Sequence, residues 1–87
     1  MHQATIYLDV REPFEFASDH VEGAVNISLT ELMQGTVRLN DIPKDTPLVV
    51  YCQSGSRSAL AIRILHAMGY SNLTNGINQE QIKAVNL

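Results

Sequence analysis

Apolar and polar positions alternate along this chain in strand-like and helix-like spacings. Ile6-Tyr7-Leu8-Asp9-Val10 is a short β-prone run near the start. Pro13 follows it and fits the first turn of a helix, where its missing N–H costs nothing. Phe14, Phe16 and Ala17 supply that helix with apolar positions through about Ser18. Ala24-Val25-Asn26-Ile27 reads as a second strand behind a Gly23 turn. Ser28 or Thr30 is placed to cap a short helix over Glu31 to Gln34, which Gly35 ends. Residues Thr36 to Pro47 are polar, with Pro43-Lys44-Asp45-Thr46-Pro47 as a connector. Leu48-Val49-Val50-Tyr51-Cys52 is apolar without alternation, as expected of a parallel strand buried on both faces.

Arg57 to Met68 is the strongest helical pattern, with Ala59, Leu60, Ile62, Ile64, Leu65, Ala67 and Met68 as a broad apolar stripe. Gly69 is a natural residue to stop it. Asn72-Leu73-Thr74 predicts a last strand, Asn75-Gly76 a turn, and Gln79 to Val85 a weak terminal helix. Alternation of this kind implies an α/β fold, a parallel sheet of about four strands with helices on both faces.

Composition narrows the function classes. Eighty-seven residues make one domain, expected to span 1–87. The core must be aliphatic, because aromatics are 6% and there is no Trp. A net charge of -3 argues against nucleic-acid or anionic-membrane binding. No apolar run approaches a membrane span. No secretory leader is visible, so a cytoplasmic location is expected, or a periplasmic one after leader removal. The single cysteine excludes an internal disulfide framework and a multi-thiolate zinc site. The three histidines show no metal-ligand spacing, and no metal or cofactor is implied. A monomer is the default expectation.

That cysteine is either a small buried hydrophobe or a nucleophile. Position favours the second reading. Ligands of open α/β sheets bind outside the carboxyl ends of the strands. Cys52 ends the best strand, and Gln53-Ser54-Gly55-Ser56-Arg57-Ser58 leads directly into the best helix. A short loop of small polar residues can turn its N–H groups toward one point, as an anion nest. The helix N-terminus adds positive potential there, and Arg57 adds a full charge. A thiol in such a cradle ionises more readily. The predicted site is therefore Cys52 with Gln53, Ser54, Gly55, Ser56, Arg57 and Ser58. The Ser56 and Ser58 hydroxyls are placed either to donate to sulfur or to cap the helix.

Three stretches together resemble the single-domain rhodaneses, thiosulfate sulfurtransferases of the small phage-shock type. They are Asp9-Val10-Arg11-Glu12-Pro13 with Glu15 and Phe16, His20 through Ile27, and Val50 through Ser58 continuing to Met68-Gly69-Tyr70. The resemblance covers about Ile6 to Gly76. It departs at Asp19, where glycine is common, and at Ser28, where proline is common. Asn75-Gly76 stands for a usual double glycine, no Trp follows, and the usual N-terminal helix and strand are absent.

The resemblance implies a rhodanese-like fold and ping-pong transfer of sulfane sulfur through a Cys52 persulfide. The donor would be a small anion such as thiosulfate. The acceptor would be cyanide or a thiol, including thioredoxin-like proteins. Arg57 is expected to help hold the donor. Rival readings are a persulfide carrier, a non-catalytic binding module on the same fold, and a small cysteine phosphatase or arsenate reductase. By resemblance, that last class has five residues between Cys and Arg, whereas four stand here.

Other residues have plainer expected roles. Asp9 and Arg11 are expected to pair internally rather than to act at the rim. His20 is expected to bond backbone, and His2 and His66 to be solvated. Glu12 and Glu15 are expected to be surface charges.

Overall fold

The apolar run Leu48–Tyr51 forms β3, one of the two inner strands of the sheet in this computed structural model, which describes residues 4–85. Around it the elements are β1 (Ile6–Asp9), α1 (Pro13–Ser18), β2 (Val25–Asn26), α2 (Leu29–Gln34), α3 (Ser56–Ala67), β4 (Leu73–Ile77) and α4 (Gln79–Val85). The four strands are parallel, in the order β2-β1-β3-β4. The predicted α/β architecture is the one observed.

Period-two alternation sends β1 and β3 side chains to both faces. Leu8, Leu48 and Val50 join Leu32 of α2 and Ala61 and Leu65 of α3 in one core. Tyr7, Val49 and Tyr51 pack with Val21 and with Ile82 of α4 in the other. Full burial of a Leu or Val side chain contributes about 1.5–3 kcal/mol, so these two aliphatic layers hold the sheet. The buried positions on α3 are Ser58, Ala61 and Leu65. The predicted stripe places Ala59, Leu60 and Ala67 inward, but all three are exposed. The i, i+3, i+7 line from Ser58 is the one that meets the sheet.

Boundaries shift by one or two residues from the pattern-based expectation. Ser28 accepts from Glu31 N at 3.1 Å and caps α2, which starts at Leu29 rather than Glu31. The larger correction concerns Asn75-Gly76. Both lie inside β4, not in a turn after it. Opposite Val50/Tyr51 the ladder carries a β-bulge, with Asn75 beside Val50 and Ile77 beside Tyr51. Glycine is needed here for close approach. A Cβ on Gly76 would stand 2.7 Å from Val49 Cγ1 and 2.9 Å from Ile82 Cδ1. Past the bulge, Ile77 adopts φ 72, rare for a β-branched residue, and its carbonyl accepts from Cys52 N at 3.1 Å. Among the described residues no helix is long and apolar enough to cross a membrane.

Candidate active site

The carboxyl ends of β1, β3 and β4 converge on one cleft of about 320 Å³. Cys52 and Gln53 line it from the β3–α3 junction, Arg11, Phe14 and Glu15 from the β1–α1 junction, and Asn78, Gln79 and Glu80 from the β4–α4 junction. A second depression of about 260 Å³, lined largely by apolar residues including Val49, Ile82 and Val85, contains none of residues 52–58.

Gly55 makes the loop possible. Its φ of 94 is in the left-handed region, which glycine adopts without steric cost, and it turns the chain into α3 as the N-cap residue. That turn aims peptide N–H groups back at the sulfur. Gly55 N donates to Cys52 Sγ at 3.1 Å and Ser58 N at 3.4 Å. The Cys52 thiol donates to Ser58 Oγ at 3.5 Å. Burial pushes the thiol up, but its hydrogen bonds with Ser58, Gly55 and Ser54 outweigh it. The result is a thiol below its ordinary value. Buried at 1% exposure, the sulfur is nonetheless at the cleft, where a donor atom can meet it.

The predicted loop residues divide by role. Ser58 is fully buried and touches the sulfur through both N and Oγ. The helix α3 takes no side-chain cap, and the two candidate serines engage other partners. Ser58 Oγ donates to Asn75 Oδ1 at 2.6 Å, with Gly55 O at 3.1 Å, and Ser56 Oγ shares a hydrogen bond with Ser54 Oγ at 3.2 Å. Gln53 and Ser54 are exposed at the mouth.

Arg57 pairs directly with Glu15, which lines the cleft. Its Nη1 and Nη2 bond the two carboxylate oxygens at 2.7 and 3.0 Å, a bidentate pair between residues 42 apart in the chain. Glu15 also accepts from Glu12 N at 3.0 Å, in a capping box at the start of α1. The Arg57 guanidinium chiefly holds Glu15 well below the usual carboxylate range, at about 2. Glu15 is thus no simple surface charge, because α1 and α3 begin on opposite sides of the same cleft.

Asp9 and Arg11 form the expected internal pair. Arg11 Nη2 meets Asp9 Oδ2 at 2.7 Å, and Asp9 is fully buried. Arg11 Nη2 also donates to Asp19 O at 2.7 Å. Asn26 Nδ2 ties the same turn by donating to Asp9 O and Arg11 O, both at 2.9 Å. Arg11 lines the cleft as well, so its pairing and its rim position coexist. His20 Nδ1 lies 2.7 Å from Phe16 O, and its ring stacks on Phe16, as a structural imidazole should. His66 is exposed, and His2 lies outside the described residues.

Three contributors were not visible in the pattern. Phe14 is 75% exposed beside the cleft. Gln79 has a buried Oε1 without a hydrogen-bond partner. Asn75 reaches from β4 into the loop, with Nδ2 donating to Gly55 O at 3.1 Å. The one available signal for Asn75 was its place beside Gly76, and that pair reads as turn chemistry.

Comparison with known proteins agrees with this geometry. Residues 1–81 match the family model described as Rhodanese-like domain. The chain is 43% identical over 68 residues to the uncharacterized protein YqhL of Bacillus subtilis, covering 78% of this chain and 52% of that protein. It is 38% identical over 69 residues to the thiosulfate sulfurtransferase PspE of Escherichia coli, covering 79% of this chain and 65% of that protein. The chain thus spans between half and two-thirds of the length of these curated relatives. Among solved structures, a rhodanese with anions from E. coli superposes with a TM-score of 0.78 at 33% identity, covering 90% of this chain and 91% of that one. Parallel four-stranded sheet, cysteine at the strand end and sequence likeness agree: this chain belongs to the rhodanese-like domain family.

Proposed function

We propose that the protein is a sulfurtransferase that moves sulfane sulfur from thiosulfate to a thiophilic acceptor through a Cys52 persulfide. The observation that carries this reading is the placement of Cys52 Sγ at the mouth of α3 with Gly55 N and Ser58 N donating to it. The name of the E. coli relative, a thiosulfate sulfurtransferase, supports the choice of donor.

The Cys52 thiolate attacks the outer sulfur of thiosulfate. A new S–S bond forms to Cys52, the S–S bond of thiosulfate breaks, and sulfite leaves with the electron pair. The negative charge now resides on the outer sulfur of the persulfide. Cyanide or a thiolate then attacks that outer sulfur, and the Cys52–S bond breaks to return the thiolate. Peptide N–H groups at the loop stabilise anionic sulfur in both steps without reorganising. No general base takes part in this scheme, because the nucleophile is the thiolate form of Cys52, which the loop N–H groups favour. The four-residue spacing from Cys52 to Arg57 makes a narrow cradle suited to one sulfur rather than to a phosphoryl group with three equatorial oxygens.

Arg57 bears on the donor through its charge, and its pairing with Glu15 offsets that charge at the cleft. Intact mass after incubation with thiosulfate tests the reading. One added sulfur is expected on the protein and none on Cys52→Ala. An unmodified wild-type protein refutes it. Thiocyanate formation on adding cyanide reports the second half-reaction.

A further inference from the structure

Ser58 has one hydroxyl hydrogen and three neighbours that compete for it: Asn75 Oδ1 at 2.6 Å, Gly55 O at 3.1 Å and the Cys52 sulfur at 3.5 Å. The orientation of the Asn75 amide decides the competition. Ile77 N–H can only donate, and it meets Asn75 Oδ1 at 2.9 Å. Gly55 C=O can only accept, and it meets Asn75 Nδ2 at 3.1 Å. These two partners, one on the β4 bulge and one in the active-site loop, fix the amide so that oxygen faces Ser58. At 2.6 Å two oxygens attract only with a hydrogen between them. The Ser58 hydrogen is therefore on the Asn75 side, and the hydroxyl turns lone pairs toward the sulfur.

We propose that Asn75 is a positioning residue that keeps the Ser58 hydroxyl hydrogen away from Cys52. With its hydrogen engaged, the hydroxyl accepts from the neutral thiol but donates nothing to the thiolate. The anion then rests on peptide N–H groups of the loop, those of Gly55, Ser58 and Ser54. A charge-assisted hydrogen bond is among the stronger ones available, and withholding it leaves the sulfur more basic. Nucleophilicity of a thiolate falls as its pKa falls, so the arrangement trades some thiolate population for a more reactive sulfur. This inference rests on Cys52 being the reacting group, as proposed above, but not on the identity of donor or acceptor.

The test is the pKa of Cys52 from the pH dependence of its alkylation by iodoacetamide, in wild type, Ser58→Ala, Asn75→Ala and the double variant. Asn75 is an exposed residue, so alanine there opens no core cavity. Charged groups around the cleft stay the same in all four proteins: Arg57 from α3, Arg11 with Asp9 and Glu15 from the β1–α1 side, and Glu80 from α4.

Freeing the Ser58 hydrogen in Asn75→Ala is expected to lower the thiol pKa by about one unit, a tenfold gain in thiolate fraction on the acid side. The intrinsic alkylation rate of the fully ionised sulfur should fall about threefold. In the Ser58→Ala background the Asn75 substitution should produce no shift. Ser58→Ala alone should not raise the pKa. A rise of about one unit in Ser58→Ala alone overturns the proposal, because the hydroxyl was then donating to the thiolate already. The absence of a fall in Asn75→Ala, or an equal fall with and without the hydroxyl, overturns it too. Alkylation needs no sulfur donor. A failure of persulfide formation therefore refutes the transfer reading and leaves this result standing, and the reverse also holds.

Discussion

Replacing Glu15 by glutamine preserves its size and its ability to accept from Glu12 N, but removes the charge opposite Arg57. Glu15 is held at about 2, against an ordinary value of 4.5. At about 1.4 kcal/mol per unit, the full shift corresponds to about 3 kcal/mol. The carboxylate is only 18% exposed, but its arginine partner is 33% exposed, so solvent screens the pair. A contribution of about 1–2 kcal/mol at neutral pH is the figure to test. For a domain of this size that is a loss of roughly 5–10 °C in melting temperature.

The sign of the pH dependence follows from a carboxyl whose folded pKa is depressed. The stabilisation is complete above the ordinary value of 4.5 and is lost as pH falls toward about 2. Thermal unfolding of both proteins at about pH 7 and about pH 3 measures it. The gap between them should shrink to less than about half at the lower pH. An equal gap at the two pH values would show that the cost of the variant is packing rather than charge. The same substitution exposes Arg57 to the cleft, so KM for a dianionic donor should fall several-fold as stability falls. An unchanged KM would remove Arg57 from donor binding.

Further outcomes follow from the same geometry. Gly55→Ala meets both the left-handed φ of 94 and Ile77 Cγ2 at 3.4 Å, so it should cost about 1–2 kcal/mol in urea unfolding. By moving an N–H that now sits 3.1 Å from the sulfur, it should also slow persulfide formation roughly tenfold or more. Gly76→Ala places a Cβ against Val49 and Ile82 and should cost about 1–3 kcal/mol in the same assay. The Cys52 alkylation profile should stay within a few tenths of a unit if the bulge re-forms. Tyr51 accepts from Val21 N at 3.1 Å and is pushed up to about 12, by burial above all. A spectrophotometric titration should therefore show a late tyrosine ionisation near pH 12. Tyr51→Phe should remove that late step and leave the Val21 N–H unpaired at a cost of about 1–3 kcal/mol.

The parts legible in the sequence are those in which local chemistry and tertiary packing ask for the same thing. Leu48 to Cys52 is apolar at every position because both faces of β3 are covered. The stretch from Gln53 to Ser58 is short and contains Gly55 because the chain must reverse into a helix there. Ser28 announces a helix start through its own side chain, and Asp9 and Arg11 are close enough in sequence for their pairing to be anticipated. What was not legible depends on distant partners. Nothing in the spacing of Glu15 says that Arg57 stands across from it. Nothing in Asn75-Gly76 distinguishes a turn from a bulged strand. The packing against Val49 and Ile82 that demands Gly76, and the loop carbonyl that engages Asn75, exist only once the sheet is assembled.

The sulfur of Cys52 is met chiefly by peptide groups, and that separates two things usually encoded together. The side chains of Gln53, Ser54 and Ser56 are not what stabilises the anion, so they are free to be rewritten. A change at Gln53 or Ser54 leaves every N–H in place. Chemistry in this loop is written in the main chain, and recognition in the atoms that project from it. Under the proposed reaction, a descendant could acquire a new sulfur acceptor by altering exposed side chains while keeping the same chemistry. For the same reason, alanine scanning across the mouth would register little. Proline, which deletes a peptide N–H, is the residue that makes this kind of catalysis visible to mutation.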